Sequence, residues 1–346
     1  MAIDFSELNY LQNPTSFELK SDHLQFLLSI SGPVVIDISG KDQGRTRVIT
    51  TLIHGNEPSG LIAMHQFLSQ MSRSQRPVTN LRFIVCSPEV ALTKPYFSHR
   101  FLPDGKDLNR CFSSPNNTGY YQRANLIKAA IEAVKPEAVF DIHNTSGLGP
   151  PFAVAVEKTE LALSYASLFC ESLILSEIKL GALMEQDFNC QTITIECGGS
   201  NDKESHLIAL EGLHCLANYD DISQCHFIRN VELYLEPLRL QLKPGCDLHF
   251  SDSDLGRSGV TLIDEIEQFN FSMLKQNRHI GWVDELGLNN LQLVDKNGNN
   301  LIDQFFSLRG NQIVAKVNLN IFMATKVKAI ANQDCIFYLV NYQNHI

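Results

Sequence analysis

The chain has 346 residues, 44% of them hydrophobic and 19% charged, which is enough apolar material for one large domain or two ordinary ones and too little charge for a disordered chain. Its formal net charge of -10 argues against a nucleic-acid partner, which needs clustered Lys and Arg to meet phosphates, although a few local arginines can still serve a small anion. The start, MAIDFSELNYLQ, has no basic stretch followed by an apolar run, no uncharged apolar segment approaches the roughly 18 residues of a membrane helix, and the nine cysteines include no C-x-x-C pair; a cytoplasmic protein with reduced thiols and no membrane partner is expected.

Residues 1–40 show little pattern beyond PVVIDI (33–38), which reads as a strand in a peripheral sheet. RTRVITTLI (45–53) is a β-branched apolar run of the kind found in buried strands, and it leads into the turn-rich HGNEPSG. LIAMHQFLSQM (61–71) has helical spacing, and LRFIVCS (81–87) is the next strand. A loop rich in Pro, Gly and Asp spans about 88–118. RANLIKAAIEAV (123–134) reads as a helix, EAVFDIH (137–143) as a strand and ELALSYASLFCESL (160–173) as a helix. QTITIEC (191–197) is a further strand, followed by a helix over 206–219. Strands alternating with helices predict a mainly parallel sheet covered on both faces. From about 226 the pattern changes to short strand-like runs separated by turns such as KNGNN, so a second, β-rich domain is expected, with a boundary near 222–230.

The candidate chemistry lies at strand ends, where open α/β sheets form their ligand crevice. His54 and Glu57 follow the strand 45–53, His143 ends the strand 137–143, and Glu196 lies near the end of the strand 191–197. Two imidazoles and one carboxylate can hold a zinc ion and leave a position open for water or substrate, as catalytic sites require. A further carboxylate, Glu196, is in place to move the water's proton, and Asp141 and Asn144 flank His143 as outer hydrogen-bond partners. HRFLPDGKDLNRC (99–111) adds Arg100, Asn109 and Arg110; the guanidinium forks of the two arginines suit a carboxylate or an oxyanion.

Each feature taken alone has an ordinary explanation. His-x-x-Glu arises often by chance, a strand-end histidine is usually a satisfied polar group, and two arginines in a polar loop are usually solvated. Glu196 is different in kind, because a carboxylate inside an apolar strand is costly without a partner. The convergence of separate segments on one sheet edge outweighs any single residue.

Together HGNEPSG (54–60), DLNRCF (107–112), VFDIHNTSG (139–147) and TIECGG (194–199) resemble the succinylglutamate desuccinylase/aspartoacylase family, relatives of the zinc carboxypeptidases, over roughly residues 45–220. The resemblance implies an α/β fold. Residues 1–225 would form a three-layer α/β/α zinc-carboxypeptidase-like domain with a mainly parallel mixed sheet, in which 1–40 are an N-terminal extension or edge strands. Residues 226–346 would form a smaller β-rich domain capping the active site.

The resemblance makes His54, Glu57 and His143 the ligands of one zinc ion and Glu196 the general base that later protonates the leaving amine. Arg100 would polarise the carbonyl, and Asn109 and Arg110 would hold a substrate carboxylate. It implies hydrolysis of an amide in a small N-acyl amino acid. A metallocarboxypeptidase or short-peptide hydrolase using the same residues is the alternative, and a non-enzymatic metal- or ligand-binding module is a more distant one. Aspartoacylases carry a substrate-binding arginine before the catalytic glutamate. GALMEQDFNCQ (181–191) has none, which leaves the amino acid of the substrate open, as the sequence leaves open a homo-oligomer.

Overall fold

The computed structural model describes residues 3–71 and 76–341. They fall into two compact units. One comprises the described residues up to Asn144 with Pro151–Leu173 and Lys179–Val231. The other comprises Thr145–Pro150, Ile174–Ile178 and the described residues from Glu232 onward.

In chain order the first unit begins with β1 (Asn9–Gln12), α1 (Ser16–Leu19), α2 (His23–Ser29), β2 (Val34–Ile38) and β3 (Asp42–Thr51). It continues with α3 (Ser59–Gln70), β4 (Thr79–Val85), α4 (Pro88–Ala91), α5 (Tyr120–Glu132) and β5 (Ala138–Thr145). The last elements are β6 (Phe152–Ala155), α6 (Glu160–Ser167), β7 (Ser172–Leu175), β8 (Gln191–Gly199) and α7 (Lys203–Asn218). The eight strands are hydrogen-bonded in the order β1-β2-β4-β3-β5-β8-β6-β7. β3 pairs in parallel with β4 and β5, whereas β2–β4 and β6–β8 are antiparallel, so the sheet is mixed with a parallel centre.

The burial pattern explains why the central strands carry no polar alternation. All eight residues of β5 are buried, as are Thr46–Thr51 of β3, because helices cover both sheet faces. On one face, Ala124, Ile127, Ala130 and Ile131 of α5 pack with Val35, Val48, Ile84 and Val139 of the strands. α3 contacts β3 and packs against α7, burying Leu61, Met64, Phe67 and Leu68 of α3 and Leu213 and Leu216 of α7. These positions recur at the three- and four-residue spacing of a helix face. Asp202 caps α7 through the Glu204 N–H.

At the other end of α7, the guanidinium of Arg47 from β3 is fully buried. It donates to the carbonyls of Leu216, Tyr219 and Asp220 and pairs with Glu137. A cation at these unsatisfied helix carbonyls is favoured both as hydrogen-bond donor and by the helix dipole.

The helix expected over 160–173 stops at Ser167, and Ser172–Leu175 forms a strand instead. Leu173 and Ile174 are buried there, so sheet burial overrides the helical spacing of the longer run. β1, α1 and α2 lie within residues 1–40, where the sequence shows little pattern.

In the second unit the strands are β9 (Glu232–Leu235), β10 (Leu238–Leu242), β11 (Leu248–Phe250), β12 (Val260–Leu262), β13 (Met273–Leu274) and β14 (His279–Val283). They are followed by β15 (Leu291–Val294), β16 (Phe306–Arg309), β17 (Gln312–Ala315), β18 (Leu319–Phe322) and β19 (Phe337–Asn341). β10 to β19 form two five-stranded sheets, β13-β18-β19-β10-β15 and β11-β12-β14-β17-β16. They share a core that includes Leu240, Leu262, Ile280, Leu293, Ile313, Ile321 and Leu339. Tyr342, at the end of the strand-like run DCIFYLVNY (334–342), lies outside the described residues. Among the described residues no disulfide joins any cysteine. Among the described residues no helix is long and apolar enough to cross a membrane.

Candidate active site

β3 ends at Thr51, two residues earlier than expected, because Leu52 turns into the left-handed region at φ +53°. That conformation costs a residue with a Cβ about 1–2 kcal/mol, and it redirects the chain into HGNEPSG. Gly55 makes the turn compact: a Cβ there would lie 2.6 Å from Val90 Cγ1 and 2.7 Å from Ala91 N, so no side chain fits. The Gly55 N–H donates to the Arg100 carbonyl at 3.1 Å, tying this turn to the long loop.

β3, β5 and β8 are neighbours in the sheet, so the groups at their carboxyl ends converge. His54, Glu57 and His143 are 2%, 4% and 3% exposed. One ligand atom from each lies within 4.8 Å of the others, and among the described residues this is the cluster of metal-ligand type. His54 Nδ1 is 2.8 Å from Glu57 Oε1, and His143 Nδ1 is 2.7 Å from Glu57 Oε2. The outer nitrogens are held by other carboxylates: His54 Nε2 is 3.0 Å from Asp107 Oδ1, and His143 Nε2 is 2.7 Å from Asp141 Oδ2. Both imidazoles thus turn Nδ1 towards a shared centre, the arrangement by which outer carboxylates orient histidines that bind metal.

The electrostatics follow from burial against charge. Burial would raise the Glu57 carboxyl, but His54 and His143 overcome it and hold Glu57 below the usual carboxylate range. Burial would make His143 neutral, yet Asp141 and Glu57 hold its pKa well above the usual imidazole value. Glu196 behaves in the opposite way. Burial pushes it up to about 7, against His143 and with help from Glu57. Its Oε2 is buried without a hydrogen-bond partner. A buried carboxyl raised in this way, beside a cluster of metal-ligand type, marks a candidate acid–base group.

Arg100 sits at the rim, with Nε 3.0 Å from Asp107 Oδ2 and Nη1 3.5 Å from Glu57 Oε1. Asn109 is buried, and its Oδ1 accepts from the Leu183 N–H at 3.0 Å; Arg110 Nη1 donates to the Asn109 carbonyl. Arg100 is therefore joined directly to the His54–Glu57 cluster, and Asn109 and Arg110 follow Asp107 on the same short turn. Asp107 is the residue that sequence reasoning passed over. It is visible there only as the cap of that turn, where Oδ1 accepts from the Asn109 N–H at 2.8 Å. Its bonds to His54 and Arg100 depend on the path of the long loop. Ser59 and His206, whose Oγ and Nδ1 lie 2.8 Å apart, were likewise not singled out.

Residues 43–209 match the succinylglutamate desuccinylase/aspartoacylase catalytic domain. Solved structures with the same fold include succinylglutamate desuccinylase from Vibrio cholerae, with 16% identity, coverage of 93% of this chain and 95% of that one, and a TM-score of 0.59. A succinylglutamate desuccinylase/aspartoacylase from Rhodobacter sphaeroides has 13% identity, coverage of 89% and 88%, and a TM-score of 0.58. Murine aminoacylase 3 has 14% identity, coverage of 89% and 98%, and a TM-score of 0.55. No curated protein sequence matches the chain.

Proposed function

We propose that this chain, whose residues 43–209 match the succinylglutamate desuccinylase/aspartoacylase catalytic domain, is a zinc-dependent hydrolase that cleaves the amide bond of a small N-acyl amino acid. The observation that carries this reading is the pairing of a buried His54–Glu57–His143 cluster with a buried, unpartnered Glu196 oxygen. A purely structural metal site has no use for the second feature. The relatives' names point the same way: a succinylglutamate desuccinylase and an aminoacylase are deacylases.

His54, Glu57 and His143 would hold the ion, for which two imidazoles and a carboxylate are a fitting donor set. Zinc bound there supplies Lewis acidity, which polarises the scissile carbonyl and lowers the pKa of water. Glu196 takes the attacking water's proton, a task suited to a carboxyl raised towards 7, and returns it to the departing amine. Arg100 faces the charge that develops on the carbonyl oxygen. Asn109 and Arg110 bind the carboxylate of the amino acid.

The test is a panel of N-acyl amino acids and short peptides offered to the zinc-reconstituted protein, with metal content measured alongside. The proposal requires bound zinc and faster turnover of N-acyl amino acids than of peptides. Faster peptide cleavage would replace it with a peptidase, and metal uptake without any hydrolysis would refute it.

A further inference from the structure

α3 begins without a cap of its own. Pro58 stands at its N-cap and makes no side-chain hydrogen bond to the first turn, so the Ser59 N–H needs an acceptor from elsewhere. The acceptor is Asn144 Oδ1, at 3.0 Å, reaching across from β5. The other end of the same carboxamide is also occupied. Asn144 Nδ2 donates to Ser59 Oγ at 2.8 Å and to the Gly198 carbonyl at 2.9 Å. The Asn144 backbone N–H points at Glu57 Oε2, 3.3 Å away.

The places of these partners in the chain give the network its meaning. Asn144 follows His143, Ser59 comes two residues after Glu57, and Gly198 comes two residues after Glu196. One buried side chain, 3% exposed, therefore ties the His143 segment to the two others that carry the cluster and the base. Gly198 is at φ +103°, a conformation that residues with a Cβ avoid. Ser59 is fully buried, and its hydroxyl is fixed on its far side by His206 Nδ1 at 2.8 Å. A carboxamide matches this set, because it offers an acceptor to one N–H and two donor hydrogens to two acceptors.

We propose that Asn144 is a positioning residue that sets Glu196 in register with the His54–Glu57–His143 cluster by clamping the Ser59 and Gly198 ends of the two neighbouring segments. The proposal rests on the functional reading above. The Asn144 side chain reaches Ser59 and Gly198 rather than the Glu196 carboxyl. It acts through Ser59, Gly198 and the backbone bond to Glu57.

Asn144→Asp keeps the acceptor for the Ser59 N–H but sets an oxygen against the Gly198 carbonyl, and Asn144→Ala removes the clamp. In both, zinc affinity measured by chelator competition should fall by about 10–100-fold, as expected when an outer hydrogen-bond partner of a metal site is lost. kcat at saturating zinc should fall as well, while KM stays near the wild-type value. Should the Asn144 variants not fold, Ser59→Ala, which removes one hydroxyl, must show the same pattern in weaker form. Folded variants with zinc affinity and kcat within about twofold of wild type, well below the expected loss, overturn the proposal. If the wild type itself neither binds zinc nor hydrolyses any N-acyl amino acid, the functional reading falls first and this one with it.

Discussion

Asp141 Oδ2 stands 2.7 Å from His143 Nε2, and the two residues are two apart on the same strand. The alternation of side chains along a strand puts positions i and i+2 on one face, so β5 delivers the imidazole and its orienting carboxylate together. Thr50 on β3 donates to the other Asp141 oxygen at 2.6 Å, which leaves that carboxylate little freedom. For His54 the equivalent partner, Asp107, comes from a separate loop.

Replacing Asp141 by Asn should keep the fold but weaken the hold on His143. Zinc affinity, read by competition with a chromogenic chelator, is expected to drop by about 10–100-fold. An unchanged affinity would show that the Asp141 contact does not orient a ligand.

Glu196→Gln should leave zinc bound and reduce kcat by about 10²–10⁴-fold, the usual contribution of a general acid–base group. Metal content and steady-state kinetics on the same preparation check both halves. Undiminished turnover removes Glu196 from the mechanism.

The same substitution should change the stability of the metal-free protein in a pH-dependent way. Burial raises the Glu196 carboxyl from its ordinary 4.5 to about 7, so between those values the folded state binds more protons than the unfolded one. Stability therefore declines as pH rises through that window. Gln, which mimics the protonated form, does not decline. The variant's advantage should be absent below pH 4.5, grow through the window and level off above it at roughly 1–3 kcal/mol. Urea unfolding at several pH values measures it, and a gain independent of pH would contradict the assignment.

Arg110→Ala should raise KM for an N-acyl amino acid by about tenfold or more, the worth of a charge-assisted hydrogen bond. The corresponding carboxamide substrate should be nearly unaffected. Equal losses on both substrates would show that Arg110 does not read the carboxylate.

The contrast between Glu57 and Asp107 marks how far the site was legible in the sequence. His54 and Glu57 share one turn directly after a recognisable buried strand, and His143 and Glu196 lie near the ends of two others, so parallel-sheet geometry alone predicts their meeting. Asp107 meets His54 only because the loop from Ser98 to Lys106 folds back, with Gly55 N–H on the Arg100 carbonyl holding it. No periodicity encodes such a return. The same limit applies to the fold. β3, β5 and β8 are strands of eight to ten residues built on buried β-branched or apolar runs such as VITT, AVF and TITI, whereas β1, α1 and α2 span seven residues or fewer and take their shape from what they pack on. At Ser172–Leu175 a local helical pattern lost to the sheet next to it.

Arg47 has a consequence for how the protein opens. Its guanidinium fastens the last turn of α7 to the start of the buried part of β3, and α7 is the helix that follows β8. Releasing either end would strand a charge away from water, so the two elements should unfold as one cooperative block. In native-state hydrogen exchange, the amides of Val48–Thr51 and of Leu213–Asn218 should then share one opening free energy and one response to denaturant. The strand that leads to His54 and the helix beyond Glu196 would come apart together.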